Sequence, residues 1–188
     1  CSRRNIYILY GAEAIICLVG RPCAGKTALI LNLAMNIVRN GSVPAAIFSP
    51  GHSDAKIVLK IYSQYGMDSS RLRDRSKLLL EDLSAISEVQ DSLKELPLFL
   101  DDTQFQTLEE FACKVGRLVN EEGVKVVFVD GVEFFELPGP LELVEQKALV
   151  LQTLRQIADR FSITIVASER FIGMPDSRPI DLKEYERK

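Results

Sequence analysis

The sequence predicts an α/β fold, a mostly parallel sheet with helices on both faces. Three observations predict it. Short apolar runs alternate with longer helical or charged stretches along the chain, as in repeated strand–helix–strand units. The apolar runs are continuous, as strands covered on both faces require. A glycine-bearing segment, GRPCAGKT at residues 20–27, separates the first such run from the first helical stretch.

The first strand is expected at Ala14–Val19 (AIICLV). Thr27–Arg39 carries apolar residues around a helical period, and Gly41 follows as a stop. Ala45–Phe48 (AAIF) is the second strand. Ser53 can cap a helix reaching about Tyr65. Ser69–Leu96 reads as a charged helical stretch with loop breaks, and Leu98–Leu100 as the third strand, ending at Asp101 and Asp102. Thr107 and Glu110 have capping-box spacing for the next helix. Val124–Val129 is the fourth strand, Pro138–Pro140 a loop, Leu141–Phe161 a long helix and Ile163–Ala167 the fifth strand. Crossovers between parallel strands should be right-handed. Residues from about 171 to 188 read as a loop-rich tail.

The length of 188 residues suggests one domain spanning 1–188, able to bury ~70% of its unfolded surface. A net charge of −3 gives no strong field for polyanions. The four cysteines, Cys1, Cys17, Cys23 and Cys113, form no CxxC pair, and there is one histidine. That argues against zinc and fits a reducing cytoplasm. Cys17 and Cys113 read as core thiols. No apolar run approaches the ~20 residues of a membrane span, and no secretory signal is visible, so no membrane partner is expected. The chain opens on Cys1 rather than Met, so an excerpt of a longer protein is expected.

GRPCAGKT has the form Gly-x-x-x-x-Gly-Lys-Thr, the phosphate-binding P-loop pattern. Gly20, Arg21, Pro22, Cys23, Ala24, Gly25, Lys26 and Thr27 are therefore the candidate phosphate cradle. Backbone N–H groups would wrap the phosphates, and Gly25 permits close approach. Lys26 would reach the β- and γ-phosphates, and the Thr27 hydroxyl would hold Mg²⁺. The following helix adds its positive end. Asp130 closes the apolar run VKVVFVD and is the candidate acid on the Mg²⁺ side.

Hydrolysis also needs a carboxylate to orient water, worth ~10²–10⁴ in rate. In RecA-like P-loop proteins that acid usually ends the second strand. Here the stretch is FSPGHS, Phe48–Ser53, with no acid before Asp54. Glu133, Glu169, Asp101 and Asp102 are the alternatives; Glu169 ends the fifth strand, where a γ-phosphate sensor would lie. Taken singly, each reads first as a solvated loop acid. His52 reads as an ordinary loop histidine. Arg71, Arg73, Arg75 and Lys77 read first as a solvated helix face, with contact to a nucleic-acid backbone as the alternative.

Five segments carry a family resemblance. They are GRPCAGKT with its Arg21–Pro22 pair, LPLFLDDTQFQTLEEF (96–111), VVFVDGVEF, LRQIADRFSITIVASE and SRPIDLKE (177–184). Together the chain, from about Gly11 to Lys188, resembles the C-terminal RecA-like motor domain of the replicative DnaB-type DNA helicases. The resemblance implies a P-loop NTPase fold that uses ATP and Mg²⁺, contacts single-stranded DNA and works as a homo-oligomeric ring. Lys26, Asp130 and a displaced acid such as Glu169 would be catalytic.

The chain departs from the family pattern at several positions. Gly51 stands where the family has its catalytic glutamate. Gly131 and Glu133 replace a tyrosine and a glutamine, and Glu169 stands for the sensor glutamine. The stretch between Glu169 and Arg178, which helps bind DNA in the family, is short. No counterpart of the family's arginine finger or of its primase-contacting N-terminal domain is expected within these 188 residues. Two functions stay open: an ATP-driven helicase motor, or a non-motor module that holds nucleotide and contacts a helicase or another replication protein. A small-molecule kinase is the weaker third, since the loop lacks a GxxGxGK form and no arginine-rich lid is visible.

Overall fold

The structure, a computed structural model, describes residues 6–10, 15–51, 54–74, 78–104, 106–137, 139 and 142–170. The chain runs β1 (Ile6–Tyr10), β2 (Ile15–Gly20), α1 (Lys26–Gly41), β3 (Ala45–Phe48), α2 (Asp54–Gln64) and α3 (Ser69–Arg73). It continues through α4 (Leu80–Lys94), β4 (Leu98–Asp101), α5 (Leu108–Glu122) and β5 (Val126–Asp130). A 3₁₀ turn (Val132–Phe134), α6 (Leu143–Phe161) and β6 (Thr164–Arg170) complete it.

The strands form one sheet in the order β1-β2-β6-β5-β3-β4. The five strands β2 to β6 pair in parallel, as the alternating pattern predicts. β1 adds an antiparallel edge beside β2. The segment IYILY carries no helix alternation around it, and only its pairing reveals it as a strand.

Both faces of the sheet are covered, which is why the apolar runs are continuous. Leu18, Ile47, Phe128 and Val166 pack under α1 and α2, against Ile30, Leu31, Met35, Ile57 and Ile61. Their neighbours in sequence, Phe48, Val127, Val129, Ile165 and Ala167, turn to the other face. There they meet Phe111 and Val115 of α5 and Leu154 and Ile157 of α6. Each fully buried side chain of this kind contributes about 1.5–3 kcal/mol. Phe111 joins the second layer edge-on, 4.8 Å from the Phe48 ring and 5.2 Å from Phe135, a favoured aromatic geometry.

The expected capping box opens α5. Thr107 Oγ1 accepts from the Glu110 N–H at 3.1 Å, and the Glu110 carboxylate accepts from the Thr107 N–H at 2.9 Å. At α1 the stop falls differently: Gly41 is still helical, and the left-handed reversal comes at Ser42, φ 48°. The stretch 69–96 divides into α3 and α4. β6 runs to Arg170, three residues past the expected Ala167, and that extension carries side chains to the site.

Cys113 corrects a reading. It is exposed, whereas Cys17 is buried. On α5 it lies two residues from both Phe111 and Val115, which are fully buried, so the helical period turns it outward. Ser53, Pro138, Pro140, Cys1 and the tail from 171 to 188 lie outside the described residues.

Candidate functional site

The loop after β2 reverses through two left-handed residues, Cys23 at φ 60° and Gly25 at φ 103°. Glycine suits the second because a Cβ is disfavoured at positive φ. Gly25 caps α1 without a side-chain hydrogen bond, and the first turn of α1 carries no acid. The first N–H groups of a helix have no partner of their own in the helix. With no capping side chain here, they and the positive helix end suit an anion.

Lys26 Nζ donates to the carbonyls of Gly20 (2.7 Å) and Arg21 (3.0 Å), folding back along the loop. Burial pulls its pKa below the usual lysine value; Glu133 and then Asp130 oppose that shift, and Arg170 adds to it. The loop borders a cavity of about 390 Å³. Pro22, Cys23, Ala24, Gly25, Lys26 and Thr27 form one side of it. Asp130 and Ser168 form the other, at the carboxyl ends of β5 and β6.

Register explains that second pair. Asp130 stands opposite Ser168 in the parallel ladder, and Ser168 Oγ donates to Asp130 Oδ1 at 2.8 Å. Both are buried. Residues 128 and 166 face α1, so the two-residue period carries 130 and 168 to that same face. Thr27 hydroxyl and Asp130 carboxylate are hard oxygen donors, which suit Mg²⁺. Among the described residues no group of three or more His, Cys, Asp or Glu is arranged to hold a metal. An ion here would therefore be held by few protein oxygens together with phosphates and water, the usual Mg²⁺ arrangement.

Comparison with known proteins gives the relationship. The family described as DnaB-like helicase C terminal domain matches residues 10–180. The chain belongs to this family. It is 30% identical over 156 residues to the replicative DNA helicase DnaB of Nostoc sp. (strain PCC 7120), covering 81% of this chain and 18% of that protein. It is 29% identical over 163 residues to the DnaB of Treponema pallidum, covering 86% of this chain and 37% of that one. The chain thus spans less than two fifths of these curated relatives. Among solved structures, one described as an ATPase domain superimposes with a TM-score of 0.75 at 16% identity, over 86% of this chain and 58% of that one. A DnaB-like replicative helicase studied with primase gives 0.77 at 17% identity, over 96% and 43%. These two likenesses show that the chain shares the RecA-like fold of those domains.

Within this DnaB-like domain the candidate acids separate. Glu169 does not line the cavity. It stands one residue past Ser168 and so on the opposite face of β6, buried against α6. Lys147 Nζ donates to its carboxylate and to the Arg170 carbonyl (3.2 Å). Cys17 Sγ reaches its other oxygen at 4.0 Å. Asp101 accepts from Lys114 Nζ at 2.7 Å, and neither it nor Asp102 borders the cavity. Glu133 does border it, and its Oε1 lies 3.5 Å from Arg170 Nε.

Five cavity residues escape the sequence reading of the site: Ala28, Lys60, Phe134, Ser168 and Arg170. Strand parity would find Ser168 and Arg170, since 166, 168 and 170 share a face. Lys60 comes from α2, and burial lowers its pKa, with Asp130 opposing and Lys56 and Arg73 reinforcing. Of the basic run, Arg71 and Arg73 are described, and both are exposed. Arg71 pairs with Asp68 and Asp82, and Arg73 borders a neighbouring cavity with Lys60. Arg75, Lys77 and His52 lie outside the described residues.

Proposed function

We propose that this chain binds ATP with Mg²⁺ in the cavity beside GRPCAGKT and serves as an ATP-hydrolysing domain of a replicative DNA helicase. The observation that carries the reading is a single arrangement. An uncapped, acid-free start of α1 bearing Lys26 and Thr27 faces the Asp130–Ser168 pair across one cavity. Lys26 would bind the β- and γ-phosphates, its ammonium leaving the Gly20 and Arg21 carbonyls. Thr27 and Asp130 would hold Mg²⁺, directly or through water. Bound Mg²⁺ supplies charge neutralisation for the phosphates. Gly20, Arg21, Pro22, Cys23, Ala24 and Gly25 shape the cradle.

The relatives are replicative DNA helicases, so single-stranded DNA and a ring of identical subunits are the proposed partners. A second reading has one observation in its favour: Gly51 supplies no acid at the end of β3. In that reading the domain holds nucleotide without turning it over and contacts a helicase or another replication protein.

Equilibrium titration with Mg–ATP tests the site. A charge-assisted contact contributes about 1.5–3 kcal/mol, so Lys26→Ala should weaken binding about 10- to 150-fold. Unchanged affinity in that variant would dismiss the site. Turnover measured with and without single-stranded DNA then separates motor from holder.

A further inference from the structure

We propose that Glu133 is the carboxylate that orients the attacking water in this domain, replacing the acid absent at Gly51, and that Phe134 is what ties the two changes together. The inference rests on the ATP-binding reading above. Three departures from the family pattern, at Gly51, Gly131 and Glu133, are scattered in sequence. The structure brings the two glycines under one ring, that of Phe134, with Glu133 beside Gly131.

A Cβ placed on Gly51 would lie 2.6 Å from Cε2 and 2.8 Å from Cζ of Phe134. A Cβ on Gly131 would lie 2.5 Å from Cδ2 and 2.6 Å from Cε2 of the same ring. Real Cβ atoms do not approach carbon that closely, so the ring is seated across two glycines. It fills the space that a side chain at residue 51 would enter. Gly131 also holds φ 111°, which starts the 3₁₀ turn Val132–Phe134 and is closed to most other residues.

That turn delivers the substitute. The Glu133 carboxyl carbon lies 3.8 Å from the position of a Cβ on Gly131, one residue beyond Asp130. Arg170 at the end of β6, which also lines the cavity, pairs with the carboxylate, its Nε 3.5 Å from Oε1. Glu133 and Lys26 line the same cavity, so the carboxylate shares the space beside the phosphate loop. Asp130 is engaged with Ser168, and Glu169 and Asp101 are engaged with lysines away from the cavity. Of the acids that the sequence offered for water, Glu133 alone borders the cavity.

In the step, the water oxygen bonds to the γ-phosphorus as the bond from that phosphorus to the β,γ-bridging oxygen breaks. The electron pair leaves on ADP. The water proton passes to Glu133 and from there to solvent.

The test pairs single-turnover hydrolysis of γ-labelled ATP with equilibrium binding of a fluorescent ATP analogue, with and without single-stranded DNA. Glu133→Gln should keep affinity within about threefold and lose hydrolysis by about 10²-fold or more. Glu133→Asp, which keeps the charge, should fall between. Gly51→Glu should not rescue Glu133→Gln while the ring is present, whereas adding Phe134→Ala should restore measurable turnover. Wild-type hydrolysis in Glu133→Gln overturns the proposal. So does a wild type that binds ATP but never turns it over, an outcome that leaves the nucleotide-holding reading standing. A wild type that binds no nucleotide overturns both.

Discussion

Cys17 and Cys23 are six residues apart and chemically opposite. Cys17 is buried beside Glu169, and burial first, then that carboxylate's charge, pushes its thiol up to about 12. A thiol that stays protonated does not alkylate. Cys23 is exposed at the turn of the phosphate loop. N-ethylmaleimide should therefore label Cys23 and Cys113 in the folded chain and spare Cys17. Mg–ATP should slow labelling at Cys23 several-fold and leave Cys113 unchanged, read by peptide mass spectrometry. Equal rates at Cys23 with and without nucleotide would count against a loop that closes on phosphate. Residues of this kind were largely legible in the sequence. Lys26, Thr27 and Asp130, which line the cavity, sit in contiguous motifs, where local spacing singles them out. That Glu169 turns away from the cavity was not legible, because its face depends on the parity of β6, and one residue of shift exchanges it with Ser168. Phe134 was hidden for a related reason: the space it fills belongs to glycines 83 and 3 positions away.

At the level of elements, Asp101 fastens the end of β4 to α5. Lys114 Nζ donates to Asp101 Oδ2 at 2.7 Å and to Thr103 Oγ1 at 2.8 Å. Burial alone would raise the Asp101 pKa, but the hydrogen bonds from Lys114 and Thr103 outweigh it and hold the carboxyl below its usual value. A depressed folded pKa gives stability that is present above the unfolded value, about 3.9. That stability is lost as pH falls through the lower folded value. Both side chains are partly solvated, at 31% and 21% exposure, so the pair is worth about 1 kcal/mol or less. Asp101→Asn should lower stability to urea by about that amount at pH 7. The gap to wild type should start to close below about pH 4 and vanish only below the lowered folded pKa, where both chains carry a neutral group. A gap that persisted at low pH would assign the effect to packing instead. The capping box at Thr107 was legible because both its partners lie within four residues. β1 was not, because an antiparallel edge strand is specified by its partner, and the division between α3 and α4 left only a charged stretch with loop breaks.

Across the whole molecule, the site lies where parallel α/β sheets bind ligands, at the carboxyl ends of their strands. Gly20 of β2, Asp130 of β5 and Arg170 of β6 end neighbouring strands, and Gly51 follows β3 closely. The alternation of runs in the sequence foretold the layers and the parallel pairing. Strand order was not foretold, because it depends on contacts between segments more than a hundred residues apart, such as β2 with β6. Those long-range pairings make the cavity a product of the entire sheet, so binding there should be felt as global stability. A ligand at about 100 times its dissociation constant stabilises the folded state by ~2.7 kcal/mol. For a chain of this size each kcal/mol raises Tm by about 2–4 °C. Saturating Mg–ATP should therefore raise the melting temperature by about 5–10 °C. EDTA should remove part of that rise, and Lys26→Ala most of it. The prediction separates a site built by the sheet from an adventitious surface one. An equal shift in Lys26→Ala would mean that the nucleotide is held elsewhere and that the carboxyl ends of β2, β5 and β6 are not its seat.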